Sequence, residues 1–199
     1  MTIKKTQEET HLIYYCTFTC ADWLPLFEIT DFYCEIYSWF NLLRRNGNQI
    51  IGFVIMPNHL HVLICVKEQS INKILANGKR FMAYEIIKRL QNAANDEVIN
   101  QLSLKVTEEE RKRAKKHRVF EVSSDIKPCY HKWFLIQKLD YMHRNPVSGK
   151  WNLAPTYVDY IHSSAGFYEL NEQHRMVSIR HYEDVELDIS SSATDDVQQ

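Results

Sequence analysis

His59 and His61, separated only by Leu60, are the pair in this 199-residue chain whose type and spacing point most directly to chemistry. In an extended strand, residues i and i+2 face the same way. Both imidazoles then lie on one face, about 6 to 7 Å apart along the strand, close enough to chelate one metal ion. Leu60 faces the other way, toward a core. Hydrogen-bonded surface histidines can show the same spacing. The setting favours a ligand role. The pair opens the run His-Leu-His-Val-Leu-Ile-Cys-Val directly after Pro57-Asn58, a turn. The first residues of a strand stand at the rim of a sheet, where side chains reach solvent from a rigid frame.

A second group lies far along the chain. Phe134, Lys138, Tyr141 and Asn145 fall at i, i+4, i+7 and i+11, one face of a helix. Leu135, Leu139 and Met142 form an adjoining apolar stripe suited to packing on a sheet. Any one of the eleven tyrosines is by default a packing residue with a bonded hydroxyl. Tyr141 and Asn145 lie one turn apart, beside the buried stripe. Pro146 stops the helix, and pre-proline sterics disfavour helical geometry at Asn145, so its alignment with Tyr141 is the weaker part of the expectation.

Several elements must position these groups. His11 to Thr19 reads as a strand, rich in β-branched and aromatic residues, and Trp23 to Phe27 as a loop around Pro25. Thr30 and Asp31 are placed to cap a helix with Phe32, Ile36, Phe40 and Leu43 at helical spacing. Gln49 to Met56 and His59 to Val66 read as two strands of a hairpin. Ser70 to Gln91 reads as a long amphipathic helix with Gly78 as a weak point and with Lys79, Arg80, Lys88 and Arg89 in its second half. Thr107 and Glu110 have the spacing of a capping box that opens a basic helix carrying Arg111, Lys112, Arg113, Lys115, Lys116 and Arg118. Residues 92–124 read as a loosely packed helical insertion. Tyr130 to Asn145 is the tyrosine helix, Ser163-Ser164 opens a short helix with Phe167 and Tyr168, and Val177 to His181 reads as a last strand. Strands and helices mix without a regular βαβ period, so the expected class is an α+β sandwich in one domain, residues 1–180, followed by a disordered acidic tail, 181–199.

Composition fits a globular protein, with 45% apolar and 25% charged residues. The five scattered cysteines form no Cys-x-x-Cys pair and read as reduced. No apolar run approaches the roughly 20 residues needed to span a bilayer, and residues 1–8 carry no apolar signal region, so the expected location is cytoplasmic, away from membranes. The net charge of -1 is unevenly spread. Six acids follow Arg180 with no basic residue among them, leaving the body with 24 basic and 19 acidic residues, a net of +5. A basic body of this kind is compatible with phosphate binding.

Phe53-Val-Ile-Met-Pro-Asn-His-Leu-His-Val-Leu63, followed by Lys138-Leu-Asp-Tyr-Met-His-Arg-Asn-Pro-Val147, resembles the IS200-like single-tyrosine transposases, and more closely their REP-associated branch. Trp151 to Tyr168, with Tyr160-Ile-His-Ser-Ser-Ala165, also looks like that branch. The resemblance covers about Leu12 to Tyr168 apart from the insertion. It implies a ferredoxin-like antiparallel sheet with helices packed on one face. Tyr141 becomes the nucleophile, the histidine–hydrophobe–histidine motif maps onto His59 and His61, and the third metal ligand maps onto Asn145. The insertion transposases carry Gln at that last position, so Asn145 sides with the REP-associated branch.

The implied reaction is cleavage and rejoining of single-stranded DNA through a 5′-phosphotyrosine, on a strand carrying a hairpin from a palindromic repeat. Two imidazoles and an amide suit Mg2+ or Mn2+; manganese accepts imidazole the more readily. Lys138 is a phosphate contact or a solvated charge beside Tyr141, and Lys79, Arg80, Arg111, Lys112, Lys115 and Lys116 are candidate backbone contacts. A homodimer is left open. Two other classes remain: a metal-dependent phosphodiesterase with no covalent step, which gives Tyr141 no role, and a catalytically silent DNA-hairpin-binding protein. A histidine-triad nucleotide hydrolase is disfavoured because Leu63 stands where a third alternating histidine is needed.

Overall fold

The computed structural model describes residues 13–67 and 69–185. In chain order the elements are β1 (Ile13–Thr19), a 3-10 turn (Ala21–Trp23), α1 (Leu26–Ile29), α2 (Tyr33–Arg45), β2 (Gln49–Ile55), β3 (His59–Cys65), α3 (Ile71–Asn92), α4 (Asp96–Leu104), α5 (Glu108–Lys112), β4 (Asp125–Pro128), α6 (Lys132–Arg144) and α7 (Ala165–Leu170). The strands form one antiparallel sheet in the order β2-β3-β1-β4. A strand–helix–strand–strand–helix–strand chain whose hairpin partner separates β1 from β2 is the ferredoxin-like, split βαβ arrangement. The α+β class and the antiparallel sheet expected from the sequence are both present. Among the described residues, no helix is long and apolar enough to cross a membrane.

The period-2 geometry of the strands sorts their side chains into two cores. Phe18, Leu60, Val62 and Ile64 face α2 and α3, joined by Ile36, Phe40, Leu75, Met82 and Ile86. Tyr15, Ile51, Val54 and Leu63 face the other way and meet Leu135, Leu139 and Met142 of α6. The expectation of helices on one face therefore holds for α2 and α3, within the split βαβ unit. It fails for α6, which lies outside that unit and covers the opposite face. The cause is visible in β2 and β3, whose residues from Ile50 to Ile55 and from His59 to Ile64 are all buried. A strand apolar on both faces needs a cover on both.

Two glycines allow close approach. The register of β2 against β3 shifts between Ile50 and Gly52, a bulge. A Cβ at Gly52 would lie 2.6 Å from Leu139 Cδ2 and 2.7 Å from Met142 Cε, so α6 sits on the bulge because there is no side chain there. Gly78, read as a weak point of α3, is instead a contact: a Cβ there would lie 2.8 Å from the Trp39 ring on α2. Gly52→Val is expected to push α6 off the sheet and destabilise the fold by about 1–3 kcal/mol. A denaturation midpoint equal to that of the parent chain would contradict this packing.

Several local expectations change. The loop at 23–27 contains the end of the 3-10 turn and the start of α1. Thr30 does not cap α2; its hydroxyl donates to Leu26 O, and Phe32 takes the cap position without a side-chain bond. The capping box of Thr107 and Glu110 forms, but the basic helix it opens ends at Lys112. Ala114 adopts φ 60°, and the reversal returns Lys115 and Arg118 to the carboxylate of Glu110 at 2.9 and 2.5 Å. Those cations, Arg118 first, hold that carboxyl at about 2. The 92–124 segment is not loosely packed, since Leu102, Val119 and Phe120 enter the core under α3. Residues 177–181 bury Val177 and Ile179 in strand-like alternation, but they form no strand and place one backbone bond, Arg180 N to Ile50 O, on the edge of β2. Of the predicted first strand, His11 and Leu12 lie outside the described residues, as does the acidic tail from Glu186 onward.

Candidate active site

β3 carries His59 and His61 onto the α6 side of the sheet, at the end where the apolar cover stops. Antiparallel register sets Thr17 of β1 opposite His61 and Thr19 opposite His59. The two imidazole centroids lie 4.8 Å apart with the rings near perpendicular. Tyr141 of α6 leans over them, its ring 5.7 Å from that of His61, and Asn145 lines the same open cleft of about 370 Å³. The four residues expected to carry the chemistry are thus brought together within one chain. Tyr141 is 55% exposed, accessible to a large substrate while its neighbours Leu139 and Met142 anchor the helix.

The histidines are held in orientations that leave one nitrogen of each free for a ligand. Asn58 donates from Nδ2 to Trp23 O at 2.9 Å, which turns its Oδ1 toward His59 Nδ1 at 2.7 Å. An amide oxygen only accepts, so His59 Nδ1 carries the proton and Nε2 presents a lone pair. His61 Nδ1 lies 2.8 Å from Tyr15 OH and 2.6 Å from Thr17 Oγ1. His61 Nε2 is buried and has no hydrogen-bond partner, and neither does Asn145 Nδ2. Buried orphaned polar atoms are costly, and turning the Asn145 amide over would put its oxygen in that position. Two imidazole nitrogens and one amide oxygen fit a divalent cation. Among the described residues, no group of three His, Cys, Asp or Glu could hold a metal, so any such centre would depend on the amide.

Pre-proline sterics did not displace Asn145. It keeps right-handed helical dihedrals, φ -51° and ψ -44°, and passes α6 into a 3-10 turn through the buried Pro146. Two residues earlier His143 points inward, its Nε2 2.7 Å from Ser164 Oγ, which bonds both N and O of Phe53. This link fastens α6 to β2 beneath the cleft.

Burial keeps all three imidazoles neutral. It lowers His59 to about 4, aided by Lys150; His61 to about 3, aided by His59 and Lys138; and His143 to about 4. Each folded pKa lies below the ordinary 6.5, so between the two values the unfolded chain binds more protons. Their contribution to stability is complete above about 6.5 and is lost as pH falls toward 4. Urea unfolding at pH 7.5 and pH 5 is therefore expected to give the lower stability at pH 5; equal stabilities would contradict neutral burial.

Two lysines, Lys127 and Lys138, and one carboxylate, Asp125, line the cleft. Lys138 Nζ sits 5.0 to 5.7 Å from the ring centroids of Phe134, Tyr15 and Tyr141, and Lys127 pairs with Asp125 at 3.0 Å. The other predicted phosphate contacts stand elsewhere. Lys79 donates to Glu121 O and Ser124 Oγ, anchoring the segment that covers α3. Arg80 reaches Asn77, and Arg111 caps the Ser103 and Val106 carbonyls. Lys115 is taken by Glu110, while Lys112 and Lys116 are exposed. None of these six lines the cleft. Sequence reasoning missed Tyr15, Thr17, Asn58, Trp23 and Trp151 as parts of the site. Tyr15 and Thr17 alternate as a strand face should, but only the register against β3 identifies their partner.

A ferredoxin-like sheet with a histidine pair under a tyrosine helix is the arrangement that emerges. No protein-family model matches the chain, and no curated protein does. Solved structures do. A REP-associated tyrosine transposase bound to a REP hairpin superposes with a TM-score of 0.54 at 11% identity, covering 100% of this chain and 99% of that one. A Deinococcus radiodurans protein assigned as a transposase gives a TM-score of 0.38 at 12% identity, over 70% of this chain and 95% of that one. The first likeness shows that the two chains share a fold along their whole length.

Proposed function

We propose that this chain is a single-tyrosine transposase of the IS200-like family, in its REP-associated branch, that cuts and rejoins single-stranded DNA. The observation that carries the reading is the approach of Tyr141 to His61, whose Nε2 is buried and unpartnered, in an open cleft bordered by lysine. The shared fold with a hairpin-bound tyrosine transposase supports it, as do the two sequence motifs.

In this reading the Tyr141 hydroxyl attacks the phosphorus of the scissile diester. A bond forms from Tyr141 Oη to phosphorus, the bond to the 3′-oxygen breaks, and that oxygen leaves as a hydroxyl with the proton balance restored from solvent. The 5′-phosphate stays on Tyr141, so the phosphoester is conserved and a second 3′-hydroxyl can reverse the step without ATP. His59, His61 and Asn145 would hold Mg2+ or Mn2+, which would supply positive charge to a non-bridging phosphate oxygen. Lys138 adds a fixed positive charge beside the attacking tyrosine. Tyr15, Thr17 and Asn58 keep the imidazoles oriented, and a single protomer supplies every group. Exposed Lys112 and Lys116 are left to contact the DNA backbone.

Incubation with Mn2+ and single-stranded DNA bearing a palindromic hairpin, labelled on the 3′ side of the cut, tests this on denaturing gels. A protein-linked label is expected. Free cleaved product alone would mean hydrolysis without a covalent step. Retardation in native gels with no cleavage would mean binding alone.

A further inference from the structure

We propose that Trp23 is a stacking platform for an unpaired nucleobase next to the scissile phosphate, with Trp151 as the facing wall. This rests on the single-strand reading above and adds to it the site that takes the base.

Trp23 ends the 3-10 turn that follows β1, and its indole is 59% exposed. Exposure on that scale, for the largest side chain type, is not explained by core packing. The indole centroid lies 5.7 Å from the His59 ring, edge to face. Trp151 approaches His59 at 6.5 Å, is half-buried on the α6 side, and has Lys150 Nζ 5.1 Å above its ring. The candidate metal ligand thus neighbours two indoles, both lining the cleft that holds Tyr141. A nucleotide's base and phosphate are one sugar apart, so a base on Trp23 brings its phosphate to the histidines.

The backbone supports the same conclusion. Asp22 and Trp23 both take left-handed conformations, φ 56° and 57°, in a stretch with no glycine. Consecutive non-glycine residues there are sparsely populated and persist only where the surroundings impose them. The surroundings are specific: Asp22 Oδ2 pairs with Lys105 at 2.6 Å, Asp22 N donates to Glu121 at 2.9 Å, and Trp23 O accepts from Asn58. That same Asn58 orients His59. One amide therefore couples the placement of the indole to that of the imidazole. Base–aromatic stacking is tolerant of sequence, so the platform serves any unpaired base and excludes a paired one.

The test uses the full chain in a Tyr141→Phe background, so that bound DNA stays intact, with fluorescein-labelled oligothymidylate and an abasic oligomer of equal length. Trp23→Ala is expected to weaken oligothymidylate binding roughly tenfold or more, Trp23→Phe to retain it within about threefold, and the abasic oligomer to bind parent and Trp23→Ala alike. A matching thermal midpoint for both variants keeps the comparison free of unfolding. Unchanged binding in Trp23→Ala overturns the proposal alone, as does an equal loss on the abasic oligomer. Failure of the parent to bind either oligomer overturns it together with the single-strand reading.

Discussion

Replacing both His59 and His61 with alanine is expected to abolish strand cleavage and to lower Mn2+ affinity by more than about 100-fold. Removing an outer partner of a single metal-bound histidine typically costs 10- to 100-fold, so loss of two ligands exceeds that range. The variant should still fold. Both side chains sit at the cleft end of β3, while Leu60, Val62 and Ile64 hold the strand to the core from the other side. Calorimetric titration with Mn2+ separates the outcomes. Unchanged affinity in the double variant would remove the histidines from any metal site, whatever happened to cleavage. Loss of affinity with full cleavage would show that the reaction proceeds without that metal.

The second large effect belongs to Tyr141. Tyr141→Phe deletes one oxygen from a side chain that is 55% exposed and keeps the ring beside His61 and Lys138. Packing loss is therefore small. Metal and single-strand binding should stay close to those of the parent, while covalent complex falls by roughly three orders of magnitude or more, since the attacking atom is gone. Parallel loss of binding would make the hydroxyl a DNA or metal contact and leave the nucleophile unassigned.

The parts of this site that were legible in the sequence are those set by local periodicity. His59 and His61 share a face because strand side chains alternate, and Leu60 faces the core for the same reason. Leu135, Leu139 and Met142 face the sheet because a helix repeats every 3.6 residues, and that places Tyr141 toward the cleft. What was not legible depends on pairing across long sequence separations. Tyr15 and Thr17 meet His61 from 46 and 44 residues away, and only the β1–β3 register selects them. The two faces of cover were missed because a strand buried on both sides reads as a simple apolar run. The basic helix was overextended because the pull of Glu110 on Arg118, across the reversal at Ala114, is tertiary and leaves no periodic signal. Trp23 was read as part of a loop, with no residue type in the stretch announcing its backbone conformation.

The most direct measurement is the identity of the residue joined to DNA. Wild-type chain is incubated with Mn2+ and single-stranded hairpin DNA, then digested, and the linked peptide is sequenced by mass spectrometry. The account predicts one linked peptide, containing Tyr141, with the 5′-phosphate of the cleaved strand on its hydroxyl. A linkage at any other residue, or cleaved DNA with no linked peptide, would contradict it.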